Sequence, residues 1–307
     1  MIIKSEHKIG IIELIKESFK FLWKYKFLII FGFIIALFAS GSRVGRNTSD
    51  YSDSSNSTAL SSFISSISVE QWILIIVVSL LFIAIGWYLS SVSAISIFRA
   101  VKYDKQGRRD MLVFKKLFVD ANNLSVLLKF FLFDISIFFI VLILVLVPIL
   151  GLAILITLTA GPGAIIIPFI CCFALFIIPV FVFAFWVVDT TKVLMANYEM
   201  DLMDALNEAY DIVKREWINY LLLSLANIVI YLGFVPLFII MSLVDMALLL
   251  PAIFLLSESI TASSIGLLIL AIFVIDILSA TVMSVLYAYY AVSFSKFVHN
   301  FKGEYTA

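Results

Sequence analysis

The chain has 307 residues, of which 63% are hydrophobic, 15% aromatic and only 14% charged, with a formal net charge of zero. A soluble domain carries roughly 25% charged residues, and 29 phenylalanines are more than one water-soluble core can hide behind so little polar surface. These figures exclude an ordinary soluble domain, and no basic domain or nucleic-acid motif points to a DNA or RNA partner.

Crossing the hydrocarbon core takes about 20 apolar residues in a helix. Taken in chain order, the first such run lies near 22–40 and opens with Trp23 and Tyr25 as interfacial anchors. It is preceded by a patterned segment, about 9–22. There Ile11 or Ile12, Ile15, Phe19 and Leu22 form one helical face, which Glu13, Lys16, Glu17, Lys20 and Lys24 avoid. Small residues at 37–40 imitate a cleavage site, but the patterned polar region ahead of the run is long for a signal peptide. An uncleaved signal-anchor is the expectation. The Ser-rich stretch 40–70 reads as an outer loop without a core of its own, with sequons at Asn47 and Asn56.

A second apolar run extends from Trp72 to about Ala100. A weaker amphipathic segment follows at 110–122, placing Leu117, Phe118, Ala121 and Leu124 at related spacings. The third run begins near Leu124. A single helix from there to Thr157 would be about 50 Å long, too long to span upright. The third span is therefore expected to end near Pro148, leaving 148–163 as an interfacial or re-entrant piece. The fourth covers 164–188, with Pro168 and Pro179 as kinks.

The segment 200–216 then spells out a charged helix. Leu202, Leu206, Ala209, Val213 and Trp217 recur at helical spacing, Met203 and Tyr210 widen that face, and Asp201, Asp204, Glu208 and Asp211 lie largely off it. Asp201 is the expected N-cap, and Lys214 and Arg215 suit the negative end of the dipole. The fifth span runs from Trp217 to about Val244, the broken stretch 246–264 is too short to cross, and the sixth covers about 264–293. The fold class expected is all-α: a polytopic membrane helix bundle of about six transmembrane helices plus cytoplasmic amphipathic helices. It forms a single membrane domain, 1–307, whose hairpins cover about 22–100, 124–188 and 217–293. Each hairpin follows an amphipathic lead-in, a repetition of pattern rather than of identity.

Nineteen of the 21 basic residues fall before the first span, in the even-numbered connections or after the sixth, and only Arg43 and Arg46 fall on the other side. By the positive-inside rule both termini face the cytoplasm, and the expected location is the plasma membrane, multi-pass. The stretch "DLMDALNEAYDIVKREWINYLLLSL" is an acid- and Ala-rich amphipathic helix ending in Lys-Arg-x-Trp and entering a Leu-rich span. It resembles a recurring element of the membrane domain attached to some bacterial glycerophosphoryl diester phosphodiesterases, and of related stand-alone six-helix proteins. The resemblance implies a fold and a membrane location. It carries no catalytic residue over, because no phosphodiesterase domain accompanies it here.

Chemistry-bearing residues are sparse. His7 and His299 sit in the polar tails, and Cys171 and Cys172 adjoin each other in an apolar run, a poor disulfide pair and a poor metal site. No phosphate loop or nucleophile elbow is present, so no catalytic, cofactor or metal site is expected. More informative are Asp134, Asn227 and Asp276 within apolar runs. A charged Asp at mid-membrane costs roughly 2.5–3.5 kcal/mol, so the three are expected to face the bundle interior and to approach one another in one layer. They would serve there as helix–helix glue or as a relay in a transporter. Asp189 and Asp245 are read as helix-end residues. Two functions fit. One is a non-enzymatic scaffold or complex subunit whose acids Asp201, Asp204, Glu208 and Asp211 face a cytoplasmic protein partner. The other is a small transporter or lipid-handling protein using Asp134 and Asp276. Membrane lipid is the expected partner in either case.

Overall fold

The computed structural model describes residues 10–39, 68–158, 163–258 and 262–302. His7, most of the Ser-rich loop, Arg43, Arg46 and the two sequons lie outside the described residues. Among those residues there is no strand; there are nine α-helices and one 3-10 turn, Arg109–Met111. The helices are α1 (Ile11–Lys24), α2 (Leu28–Ala39), α3 (Val69–Lys105), α4 (Phe114–Ala121), α5 (Leu124–Leu158), α6 (Gly163–Tyr198), α7 (Leu202–Gly233), α8 (Val235–Glu258) and α9 (Ala262–Lys302). Five of them, α3, α5, α6, α7 and α9, are long and apolar enough to cross a membrane, and the bent pair α1–α2 would make a sixth. The expected all-α, helix-bundle class is what the chain forms, and it is compatible with a multi-pass membrane protein.

Several boundaries differ from the sequence reading. The first run is not continuous: the chain breaks at 25–27, and α1 and α2 meet at 102°. Alone, α2 has 12 residues, about 18 Å at 1.5 Å per residue. Helix α5 continues through Pro148 and Gly151 to Leu158, so 148–158 is a continuation of the helix rather than a separate interfacial or re-entrant piece. Helix-breaking residues of this kind are tolerated in long apolar helices where local adjustments and neighbouring groups satisfy the freed backbone. Helix α6 runs ten residues past Val188, and α9 nine past Ser293. The fifth run is broken at Phe234 rather than near Val244. Gly233 weakens the helix there, and Pro236 fits the first turn of α8, where no N–H partner is needed.

Helices α3, α5, α6 and α9 have 37, 35, 36 and 41 residues. At about 1.5 Å per residue they are about 52–62 Å long, well beyond a hydrocarbon core of roughly 30 Å. Burial explains the surplus. On α3, side chains from 69 to 85 are exposed all round, whereas those from 91 to 101 are almost all buried. The same division separates 178–185 from 186–197 on α6, and 266–278 from 284–301 on α9. The core therefore sits at one end of the bundle, built from residues such as Ile95, Leu117, Phe130, Leu194, Tyr220 and Tyr289. Apolar side chains cover the opposite half and face outward.

At the packed end α3, α6 and α9 touch one another pairwise, and the shorter helices wrap them: α1 lies on α9, α4 on α3 and the first half of α7 on α6. Helix α2 fits between α9 and α3. Its approach to α9 is close, because a Cβ on Gly32 would stand 2.1 Å from the Ser284 carbonyl oxygen and 2.9 Å from the Ala288 Cβ. The buried face of α7 is Ala205, Ala209, Ile212 and Val213, with Leu202 and Leu206 beside it. Met203, Tyr210 and Trp217, expected on that face, are exposed instead. A kink at Glu216 (φ −107°, ψ 20°) resets the helical register before Trp217.

Candidate functional site

The packed end is tied together by cations that enter the helices instead of flanking them. Arg99 of α3 is buried, at 3% exposure. Its Nε donates to the Ala196 carbonyl (3.1 Å) and its Nη1 to the Asp120 carbonyl (2.7 Å). Nη1 also pairs with Asp120 Oδ2 at 2.9 Å, and Nη2 lies 3.4 Å from Glu199 Oε1. One guanidinium thus joins α3, α4 and the end of α6, using the fork geometry that only arginine offers. Tyr103 donates its hydroxyl to the same Asp120 carboxylate at 2.7 Å. Lys102 donates to the carbonyl of Asn197. Glu199 ends α6 with a left-handed φ of 55°, a conformation that ordinarily selects glycine.

Lys129 of α5 fastens the next corner. Its ammonium donates to the Met200 carbonyl (3.2 Å), the Glu199 carbonyl (3.4 Å) and Asp201 Oδ1 (2.7 Å). Asp201 does occupy the N-cap position of α7, yet its side chain makes no capping hydrogen bond. Its carboxylate serves Lys129 instead, and that hydrogen bond holds the Asp201 carboxyl below its ordinary value. Lys302 of α9 pairs with Glu208 at 3.0 Å, and Lys296 with Glu17 at 3.5 Å. His299, read from the sequence as a solvated tail residue, is buried on α9. Its Nδ1 lies 2.6 Å from the Tyr198 hydroxyl and its Nε2 3.1 Å from Asn197 Nδ2.

A second polar group lies one to two turns further in. Asp134 of α5 pairs with Lys192 of α6 at 2.7 Å and accepts from Trp87 Nε1 of α3 at 2.9 Å. The two charged side chains are 28% and 27% exposed, too much for a pair sealed in a core. One turn before Lys192, Asp189 accepts from the Tyr290 hydroxyl of α9 at 2.6 Å. Asp189 is therefore a cross-helix acceptor, not an idle helix end. Nearby, Thr190 and Tyr220 share a hydrogen bond of 2.7 Å, and Trp186 donates to Ser224 at 2.9 Å.

The three polar residues singled out in the apolar runs do not converge. Lys129 and Lys302 both reach Met200, which fixes a common level for α5 and α9. From it Asp134 is five residues along α5, about 8 Å, whereas Asp276 is 26 residues along α9, about 39 Å. Asp276 is partly buried and makes no hydrogen bond or ion pair among the described residues. Asn227 is buried on α7, and its Oδ1 has no partner among the described residues. Of the four acids on α7, Asp201 and Glu208 are engaged by lysines of the same chain. Asp204 and Asp211 are exposed, seven residues apart on one face, and make no ion pair among the described residues.

Sequence reasoning missed Lys192, because the fourth span was ended at Val188. The signal was present: Trp186, Thr190, Val193, Leu194 and Asn197 continue the helical period past that point. No group of three or more His, Cys, Asp or Glu side chains able to hold a metal ion occurs among the described residues. No family model, curated protein or solved structure matches the chain.

Proposed function

We propose that the protein is a non-enzymatic scaffold or complex subunit of the plasma membrane, multi-pass with both termini in the cytoplasm. In this reading a protein with a basic surface docks on Asp204 and Asp211 of α7. The carrying observation is the division of labour among the α7 acids. Asp201 and Glu208 close the packed end, while Asp204 and Asp211 stay exposed and about 10.5 Å apart along one helical face. An acidic face is repelled by an anionic leaflet, so it turns to water and suits a cationic partner. The charge distribution supports the orientation, since the lysines and arginines of the described residues gather at the packed end. The resemblance of 201–225 to the membrane domain of glycerophosphoryl diester phosphodiesterases supports the membrane setting and contributes no active site.

The test is purification from the native host in mild detergent, comparing the wild type with Asp204→Lys/Asp211→Lys. A stoichiometric protein partner that disappears with charge reversal, at unchanged expression, is expected. A partner retained equally by the variant, or no stoichiometric partner at all, refutes the scaffold. The exposure of the Asp134–Lys192 pair favours a second reading, a small transporter with a polar path at that level. Flux of an ion or lipid in reconstituted vesicles that Asp134→Asn abolishes would favour it over the scaffold.

A further inference from the structure

We infer that α1 is an in-plane helix whose outer edge inserts into an anionic bilayer surface, with Ile12, Phe19 and Trp23 in the lipid and Lys16, Lys20 and Lys26 on the headgroups. The inference uses the membrane setting proposed above and is independent of the scaffold role. It begins with what α1 leaves uncovered. Its inner face, Leu14, Ser18, Phe21 and Leu22, is buried against the bundle. A second apolar strip remains outside: Ile12 is 71% exposed and Trp23 76%, while Phe19, at 37%, rests one ring face on Tyr289 of α9 at 4.4 Å and leaves its outer edge uncovered. Spacings of seven and four residues put these three within about 40° of one another on a helical wheel. Lys16 and Lys20 occupy the adjoining strip and are exposed. Lys26, just past the helix, lies over the Trp23 ring at 4.8 Å.

Geometry gives the strip its direction. Helix α2 packs lengthwise on α9 and α3, along the bundle axis, and α1 leaves it at 102°. A helix perpendicular to the bundle axis lies in the membrane plane. There an amphipathic edge with aromatic and Lys-rich neighbours is what an interfacial helix needs, and each lysine near an anionic leaflet adds to binding. The negative charges of α1 do not oppose this: Glu17 pairs with Lys296, on the bundle side, which leaves Glu13 as the remaining acid of the helix. Charge therefore separates the two outer helices. The outer face of α1 is basic and matches an anionic surface, whereas that of α7 is acidic and does not.

Spin labels on the full-length protein, with Cys171→Ala and Cys172→Ala, test this directly. Labels at Ile12→Cys, Trp23→Cys, Glu13→Cys and Lys20→Cys are compared in vesicles of phosphatidylcholine alone or with one quarter phosphatidylglycerol. Collision with oxygen, which partitions into hydrocarbon, is measured against collision with a water-soluble nickel chelate. In the anionic vesicles, positions 12 and 23 should favour oxygen several-fold over positions 13 and 20, and the contrast should shrink in phosphatidylcholine alone. Nickel-accessible labels at 12 and 23 overturn the inference. So do labels that neither reagent reaches, which would mean a protein covers the strip, and so does a contrast indifferent to lipid charge. A label at Phe82→Cys, on the exposed apolar half of α3, separates the causes. If it also meets nickel, the membrane setting fails; if it meets only oxygen, a negative result belongs to α1 alone.

Discussion

Replacing Arg99 by Met keeps most of the side chain's length and its apolar stem while removing every donor. Three acceptors lose their partner: the Ala196 carbonyl, the Asp120 carbonyl and the Asp120 carboxylate. A stranded buried acceptor costs roughly 1–3 kcal/mol. The carboxylate is relieved in part, because it retains the Tyr103 hydroxyl and its side chain is 26% exposed. Glu199 contributes little, being 63% exposed. The expected loss is about 3–5 kcal/mol, the range for breaking a buried pair from one side. At roughly 2–4 °C per kcal/mol, Arg99→Met should lower the apparent Tm by roughly 6–20 °C. Intrinsic tryptophan fluorescence during heating in a mild detergent reads this, with all variants scanned at one rate because unfolding from detergent is commonly irreversible. Arg108→Met is the control: Arg108 is exposed and rests on the Tyr103 ring at 4.9 Å, a contact worth about 0.5–1 kcal/mol. Arg99→Met/Asp120→Asn should lose less than the two single variants together, since both strike one pair. If Arg99→Met melts within about 2 °C of Arg108→Met, the guanidinium is not what joins α3, α4 and α6, and the reasoning fails.

Gly32→Val should destabilise by more than the 1–3 kcal/mol typical of overpacking, because the obstacle is the Ser284 backbone carbonyl rather than a movable side chain; the same melting assay decides. Lys192→Met leaves the Asp134 carboxylate with Trp87 alone, so it should cost about 1–3 kcal/mol, and adding Asp134→Asn should recover part of that. A double variant no better than Lys192→Met removes the pair from the account. Glu199→Gly should raise stability by about 0.5–1 kcal/mol, the left-handed penalty outweighing a weak exposed ion pair and the added chain entropy; a drop in Tm would show the Arg99–Glu199 contact to matter more than the backbone. The Asp201 carboxyl is lowered by Lys129, so its contribution is present above the ordinary Asp value near 3.9 and fades as pH falls through the lower folded value. The wild type should therefore lose more stability than Asp201→Asn between pH 5 and pH 3, with the two curves parallel above about pH 5.

Composition and apolar runs were enough to read the helical class and the five to six helices long and apolar enough to cross a membrane, because a long apolar run can satisfy its backbone only within a helix. Helix ends were harder, and for one reason. Charges such as Arg99, Lys192 and Lys296 look like the edges of spans when each is weighed alone against hydrocarbon. In the structure each has a partner on another helix, so the helix continues past it. The error then spread to the site. Asp134, Asn227 and Asp276 were placed in one layer by counting from expected ends. Moving the end of α9 from Ser293 to Lys302 takes Asp276 deeper, away from Asp134. Pairing across helices is invisible to a periodicity argument, which knows each helix only by its own face. The inner face of α7 was read a little off for a smaller reason, since nothing in the run of residues announced the kink at Glu216.

The order of packing connects these observations. Each lead-in helix lies on a long helix that comes before it in the chain, α4 on α3 and α7 on α6, except α1, which lies on α9. Helix α2 likewise packs mainly against α9, to which Gly32 admits a close approach. The arrangement is therefore cyclic, and its closing contact joins the first described helices to the last. Three cross-helix cations follow the same circuit: Arg99 links α3 to α4, Lys129 links α5 to the corner before α7, and Lys296 links α9 to α1. Arg99 is buried, but the partly exposed pairs of Lys129 and Lys296 contribute only about 0–1 kcal/mol each, so stability alone gives little reason for a cation at every junction. Their worth lies in register. A helix that is apolar over most of its length can slide along its neighbours with small change in burial, whereas a lysine that must reach one carboxylate fixes its height. With the heights fixed at the packed end, the opposite half of the bundle can present apolar side chains on all sides without deciding the arrangement.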